Sequence, residues 1–143
     1  MDGWAKFPYI RWKDGAGVEC IPLLTVLVTI NGETIPLDGI VDSGAQDCVV
    51  HQSLASTFQV DLSSCKKIRM AGVGGKGIDG FETVAKIQIE EMDNYEFETP
   101  IIFADIPAQL LLGQNNFFKN FQILFEMDKA QFRLKKIPRL KYN

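Results

Sequence analysis

The chain has 143 residues, 46% hydrophobic and 23% charged, and a formal net charge of −3. This length suits one compact domain, and the composition excludes disorder, collagen-like repeats and a solenoid. The acidic balance gives no basic footprint, so neither nucleic acid nor a membrane is an expected partner. No stretch approaches the ~20 apolar residues that cross a bilayer, and the N-terminus lacks a signal pattern, which predicts a soluble cytoplasmic protein.

Three cysteines and one histidine limit the possible chemistry. Cys20, Cys48 and Cys65 are widely spaced and form no Cys-x-x-Cys pair, so we expect reduced core residues rather than disulfides or a zinc site. His51 is the only histidine, which excludes multi-histidine metal sites. Cys48 and His51 would point to opposite faces of a strand, so a thiol–imidazole pair is not expected. No metal and no cofactor is predicted.

The first half of the chain predicts an arm followed by a hairpin. Residues 1–19 are interpreted as an aromatic-rich N-terminal arm, which could pack on the domain, lie at a dimer interface or occupy the cleft. Residues 20–30 are β-branched and apolar, and Asn31-Gly32 supplies a two-residue hairpin turn. The returning strand contains Pro36 and Gly39, which favours an edge or bulged strand. That strand leads directly to Asp42.

The rest of the chain predicts short strands and little helix. Apolar residues alternate with polar ones at the period of half-buried strands, and turn residues separate the segments. Together these features predict a mostly antiparallel β domain, closed or of sandwich type. The predicted strands are 48–50, 66–70, 85–90, 95–99, 101–103, 110–113 and 121–134 with a turn at 128–130, and the predicted short helices are 52–58, capped by Ser53, and one within 115–120.

The run Ile40-Val41-Asp42-Ser43-Gly44-Ala45 places a carboxylate at the end of an apolar strand, where Gly44 permits a close backbone approach. Peptide hydrolysis without a metal or covalent intermediate needs one carboxylate to activate water and one carboxyl to act as an acid. The chain has a single Asp-Ser-Gly, so the second Asp42 must come from a two-fold related copy. Asp47 lies nearby, but we interpret it as a solvated or bonded turn carboxylate.

Three features in this order resemble the retropepsin-like aspartic proteases: Asp42-Ser43-Gly44-Ala45, the glycine-rich run from Gly72 to Gly77, and Leu111-Leu112-Gly113 before a short helix. The resemblance covers residues 20–137 and leaves 138–143 as a basic C-terminal tail. It implies a closed barrel of the acid-protease half-fold type, with one or two short helices, active as a two-fold homodimer.

The resemblance also implies roles for individual residues. Asp42 would be the catalytic residue, and the Ser43 hydroxyl would bond across the dimer to hold both turns rigid. The implied active-site turn is Ser43, Gly44 and Ala45, the implied substrate-binding flap is Val73, Gly74, Gly75, Lys76, Gly77 and Ile78, and the implied supports of the turn are Leu112 and Gly113.

Two departures from the viral pattern stand out. Gln114 follows Gly113 where many viral members carry an arginine, so the sequence gives no support for the family's interfacial ion pair. The hairpin of residues 121–135 is longer than a minimal viral enzyme needs, and it resembles cellular and bacterial single-domain relatives more closely.

The glycine-rich run also matches Gly-x-Gly-x-x-Gly, but a dinucleotide site requires a helix at the glycines and an alternating strand follows instead. A phosphate loop would need Ser or Thr after Lys76, where Gly77 stands. The flap explains the glycines better, and the sequence predicts an aspartic endopeptidase active at acidic to mildly acidic pH. The resemblance to the family implies substrates in extended conformation with bulky apolar residues at the cut. A catalytically silent dimerisation or peptide-binding module, and a half-enzyme that pairs with a different chain, remain as alternatives.

Overall fold

The computed structural model describes residues 3–14, 17–71 and 75–138. These residues form twelve β-strands joined by short turns, and the only helical segments among them are single 3₁₀ turns. The strands are β1 (Trp4–Pro8), β2 (Ile10–Asp14), β3 (Gly17–Ile21), β4 (Leu23–Ile30), β5 (Glu33–Val41), β6 (Val49–His51), β7 (Lys66–Ala71), β8 (Gly77–Ile89), β9 (Tyr95–Ala104), β10 (Leu110–Leu112), β11 (Phe121–Glu126) and β12 (Gln131–Lys136). The 3₁₀ turns are Gln52–Leu54, Leu62–Ser64, Glu90–Met92, Phe118–Asn120 and Met127–Lys129.

Six strands close into a barrel in the order β4-β5-β10-β6-β9-β8, with β8 pairing back to β4. β7 lies outside this ring as the partner of β8. Two of the barrel pairs, β5 with β10 and β6 with β9, are parallel, and the others are antiparallel. The predicted closed and mostly antiparallel β fold is therefore confirmed.

The predicted helices are shorter than expected. The segment 52–58 contains one 3₁₀ turn, Gln52–Leu54, and its cap is His51 rather than Ser53, because His51 Nδ1 accepts a hydrogen bond from the Ser53 main-chain N–H at 3.1 Å. The segment 115–120 likewise ends in the single turn Phe118–Asn120.

The prediction that the strand before Asp42 is an edge or bulged strand is wrong, because β5 lies between β4 and β10. β10 pairs only with residues 39–41, whereas β4 pairs along the whole of β5. Pro36 falls in the stretch that has β4 alone as a neighbour, where a missing N–H is tolerated. Gly39 lies opposite Leu110, and a Cβ there would come within 2.8 Å of the Leu112 side chain, so its missing side chain lets β10 pack closely.

The barrel interior is filled by the inward-facing residues of the alternating strands. Val28, Ile87, Ile101 and Phe103 are completely buried. Burial of such side chains stabilises the fold by about 1.5–3 kcal/mol each. Cys48 is also in the core, as predicted, whereas Cys20 and Cys65 are only half-buried, which the prediction of core cysteines did not anticipate.

The N-terminal strand packs on the domain. β1 pairs with β12, and β12 pairs with β11, giving a three-stranded sheet beside the barrel. Phe7 is buried and its ring stacks on Phe132 with centroids 5.4 Å apart; Tyr9 stacks on the same ring at 5.9 Å. The aromatic arm was expected to pack on the domain, lie at a dimer interface or occupy the cleft. Phe7 and Tyr9 pack on the domain.

In the described part of the chain, no helix has the length and apolar character needed to cross a membrane.

Candidate active site

Asp42 follows directly after β5, at the rim of the barrel, and is half-buried. Its main-chain N–H donates to the Leu112 carbonyl at 3.0 Å, which extends the pairing of β5 with β10 by one residue. The Gly44 N–H donates to Asp42 Oδ1 at 2.8 Å, and the Ala45 N–H donates to the Asp42 carbonyl at 3.2 Å. The turn therefore fixes one carboxylate oxygen and leaves Oδ2 without a hydrogen bond from any residue that the structure describes.

Leu112 and Gly113 lie beneath this turn. Leu112 is completely buried and pairs with Val41, and a Cβ on Gly113 would lie 2.3 Å from the Asp47 carbonyl oxygen and 2.8 Å from that of Ala45. Real Cβ atoms do not approach oxygen that closely, so the turn can sit on β10 only if this residue is glycine.

Two amide residues after Gly113, Gln114 and Asn115, hold the turn by hydrogen bonds. Gln114 donates from its side-chain Nε2 to the Ser43 carbonyl at 2.7 Å and from its main-chain N–H to the Ala45 carbonyl at 2.9 Å. Asn115 donates from its N–H to the Gln46 carbonyl at 2.8 Å and from Nδ2 to Asp47 Oδ1 at 3.1 Å. The sequence analysis missed both roles, although two successive amides after the Leu-Leu-Gly run were the available signal.

The remaining reactive groups near the turn are already engaged. Asp47 accepts the hydrogen bond from Asn115, which confirms its interpretation as a bonded turn carboxylate. Burial raises the pKa of the Cys48 thiol to about 11, so a thiolate is not available near neutral pH. His51 bonds to Ser53 and lies 3.7 Å from Asp105, and it forms no pair with Cys48. Nothing here resembles a cysteine–histidine site.

The predicted flap lies at the end of the β7–β8 hairpin. Ala71 pairs with Gly77 at the last described rung, and Gly75 has a positive φ of 78°. The structure therefore places Gly75, Lys76, Gly77 and Ile78 at or beside the tip of this hairpin, whereas Val73 and Gly74 lie outside the described residues. A strand rather than a helix follows the glycines, so the requirement of a dinucleotide site is not met.

Polar and apolar contacts order the rungs of this hairpin next to its tip. Asp79 bonds to Arg69 at 2.9 Å and lies 3.5 Å from Lys67, and these partners, Arg69 first, lower the pKa of the Asp79 carboxyl. On its barrel side, Ile78 and Met70 join an apolar cluster with Val49 and Leu111, which belong to the strands around Asp42. The hairpin is therefore packed against the same strands that carry the turn.

Comparison with known proteins identifies the family of this chain. The sequence model of a family described as "gag-polyprotein putative aspartyl protease" matches residues 26–120, more than half of the chain. The chain belongs to this aspartyl protease family. In a search of curated proteins, no sequence matched the chain.

Two of the solved structures that resemble this chain are proteases that share the fold. EIAV protease complexed with the inhibitor HBY-793 is 26% identical, with 65% of this chain and 81% of that chain covered and a TM-score of 0.50. A retropepsin-like aspartic protease from Rickettsia conorii has a TM-score of 0.58 at 17% identity and covers 93% of this chain and 92% of its own. The retroviral protease-like domain of Ddi1 from Leishmania major has a TM-score of 0.48 at 19% identity, over 85% and 99% of the two chains.

These similarities confirm the predicted retropepsin-like family and fold. The Rickettsia structure covers a larger share of this chain than EIAV protease does, whereas EIAV protease has the higher identity.

Proposed function

We propose that this aspartyl protease family member is an active aspartic endopeptidase, and that its catalytic centre consists of two Asp42 carboxylates, one from each subunit of a homodimer. The observation that carries this proposal is the Asp42 turn. One carboxylate oxygen is held by the Gly44 N–H, the backbone is fixed from below by Gly113 and from the side by Gln114, and Oδ2 has no partner in the described chain.

Peptide hydrolysis by this site requires a second carboxyl group. Asp47, the nearest alternative in the sequence, is bonded to Asn115 and so does not supply it. Two aspartates held close together cannot both ionise, and they share one proton. The ionised carboxylate takes a proton from water as the water oxygen attacks the peptide carbonyl, and the protonated carboxyl donates to the carbonyl oxygen. The tetrahedral intermediate then collapses and the C–N bond breaks. The carboxyl that took the water proton gives it to the leaving amine, and the other carboxylate takes a proton back from a hydroxyl of the intermediate, which restores the shared proton.

This mechanism depends on the shared proton, so cleavage should be favoured at acidic to mildly acidic pH. A flap hairpin over a sheet-like cleft suits a substrate in extended conformation, bound through main-chain hydrogen bonds with side chains in alternate pockets.

An exposed sheet edge supports the homodimer. β11 is the outer strand of the β1-β12-β11 sheet, so one row of its main-chain groups has no strand partner within the described residues. Leu124 and Phe125 on this strand are 41% and 40% exposed, and Met127 beyond it is 62% exposed. An edge strand with exposed apolar side chains is a template for pairing with another chain, and two copies of β11 would satisfy each other about a two-fold axis.

The decisive experiment is cleavage of a mixed peptide library between pH 4 and pH 7 by the native protein and by Asp42→Asn. The substitution preserves shape and removes the shared acid and base, so it should abolish cleavage while leaving the sedimentation coefficient unchanged. Asp47→Asn is the matched control and should retain cleavage. A folded native dimer that cleaves nothing at any pH would contradict the proposal and favour a dimerisation or peptide-binding module, and a native monomer would favour pairing with a different chain.

A further inference from the structure

A cavity of about 540 Å³ is lined on one side by Asp38 and Ile40 of β5. Side chains alternate along a strand, and Leu37 and Val41 point into the core, so Asp38, Ile40 and Asp42 share the opposite face. β2 and β3 pair antiparallel as an N-terminal hairpin, which forms the other wall of the cavity through Glu19 and Ile21 of β3. Ile40, which lines the cavity, is two residues before Asp42 in the chain, so the cavity lies beside the proposed catalytic turn.

The lining of this cavity has an apolar and an acidic part. Ile21, Leu23, Ile40 and Ala108 contribute apolar surface, whereas Glu19 and Asp38 contribute two carboxylates. Asp38 Oδ1 accepts a hydrogen bond from the Thr25 hydroxyl at 2.8 Å, and the Asp38 N–H donates to Gln109 Oε1 at 3.0 Å, which fixes its position.

The two carboxylates carry no cationic partner among the side chains that the structure describes. Asp79 and Glu126, by contrast, each have basic partners within 4 Å. Two negative charges beside an apolar surface suit a long cationic side chain, which can lay its methylene stem on the apolar residues and bring its charged end to the carboxylates.

We propose that this cavity binds a lysine or arginine side chain of the peptide substrate, and that Glu19 and Asp38 determine this preference. The inference rests on the proposed peptidase function. A strand rises about 3.3 Å per residue, so the Cα atoms of Asp38 and Asp42 are roughly 13 Å apart. An extended substrate alongside β5 therefore places the basic side chain about two to four residues from the cleaved bond.

The test uses pairs of peptides that differ at one position, where one peptide has lysine and the other has norleucine. Separate pairs place this position at the second, third or fourth residue on each side of the cleaved bond. For the native dimer at pH 6 and low salt, kcat/KM should favour lysine by about fivefold at one of these positions, since exposed ion pairs contribute up to about 1 kcal/mol each. The preference should decline as salt is added.

The double variant Glu19→Gln/Asp38→Asn should bring the lysine-to-norleucine ratio close to one. The matched control is Glu96→Gln/Glu98→Gln, which removes the same charge from exposed positions of β9 outside the cavity and should keep the native ratio. A ratio of one in the native protein at every position, or an unchanged ratio in the cavity variant, would overturn the proposal while leaving the peptidase function standing.

A binding measurement separates the proposed role of the cavity from the proposed peptidase function. Fluorescence anisotropy with the same peptide pairs and the Asp42→Asn dimer needs no cleavage, so it reports on the cavity even if the native protein hydrolyses nothing. Tighter binding of the lysine peptide, lost in the triple variant that also carries Glu19→Gln and Asp38→Asn, supports the cavity proposal. Equal binding of both peptides, or no binding of either, overturns it.

Discussion

The side-chain amide of Gln114 donates a 2.7 Å hydrogen bond to the main-chain carbonyl of Ser43. The two residues are 71 positions apart in the chain, yet this contact joins the segment after β10 to the turn after β5. Together with the Gln114 N–H on the Ala45 carbonyl, it holds the backbone on both sides of Gly44, whose own N–H bonds to Asp42. The orientation of the proposed catalytic carboxylate therefore depends on Gln114, which takes no part in the proposed reaction itself.

Replacing Gln114 by methionine keeps the length of the side chain and removes the donor. We expect a loss of about 1 kcal/mol in the free energy of unfolding, which is the usual net contribution of one hydrogen bond. Cleavage should fall further, by about tenfold in kcat, because the carboxylate loses its fixed geometry. Urea unfolding and steady-state kinetics check the two effects. Gln114→Arg retains N–H donors and should recover most of the activity; equal losses in both variants would show that the hydrogen bond is not what matters.

The features of the site that the sequence could predict are carried by residues that are close together in the chain. Asp42, Ser43 and Gly44 are contiguous, and Gly72 to Gly77 and Leu111 to Gly113 are similarly local. These short motifs carried the resemblance that implied the turn, the run beneath it and a flap, and the role of the hairpin as a flap stays a prediction. Strand alternation predicted a mostly antiparallel β fold of closed or sandwich type, and the resemblance to the retropepsin-like family implied the closed barrel.

Properties that depend on residues far apart in the chain could not be predicted in the same way. Pro36 and Gly39 are typical of an edge strand, but the parallel pairing of β10 with β5 placed that strand inside the sheet. Likewise, Glu19 of β3 and Asp38 of β5 line one cavity although the two strands belong to different sheets. Neither relationship leaves a local signal in the sequence.

Gly113→Ala should destabilise the fold and the turn together. The added Cβ would lie 2.3 Å from the Asp47 carbonyl oxygen, which is backbone and cannot swing away. Overpacking of this kind costs about 1–3 kcal/mol, and thermal unfolding should show a clearly lower midpoint. Gly44→Ala is the comparison, since its Cβ would meet only Asp42 Oδ1, at 3.2 Å. That variant should keep most of its stability and lose activity, and a stable, active Gly113→Ala would refute the role given to Gly113.

Phe125→Lys should separate the proposed homodimer. Phe125 is 40% exposed on the edge strand β11, and a charge at this position would have to be buried between two copies. Sedimentation velocity should show a monomer, with cleavage lost because a monomer supplies one Asp42. Val84→Lys is the matched control, because Val84 is 60% exposed but lies on β8, away from that edge. A Phe125→Lys protein that remains dimeric would place the interface elsewhere.

The stability of the terminal hairpin should depend on pH through Glu126. The hydrogen bond from Gln131, followed by those from Arg133 and Lys129, lowers the pKa of the Glu126 carboxyl from 4.5 to about 2, against the opposing effect of burial. A carboxyl whose pKa is lower in the folded than in the unfolded state stabilises the fold fully above its unfolded pKa and loses that contribution as the pH falls through its folded pKa. The stabilisation by Glu126 should therefore be complete at pH 6 and decline between about pH 4.5 and pH 2.

Urea unfolding of the native protein and of Glu126→Gln across this range measures the effect. The variant should be less stable at pH 6, and the difference should shrink steadily below pH 4.5 as the native carboxyl becomes protonated. Glu98→Gln, which removes a carboxylate from an exposed position of β9, is the matched control. A constant gap between the native protein and Glu126→Gln down to pH 2 would mean that the carboxylate charge does not stabilise the hairpin. If the prediction holds, the interactions of the ionised Glu126 stabilise β11 at mildly acidic pH. β11 is the proposed dimer edge, and mildly acidic pH is where an aspartic peptidase with a shared proton would work.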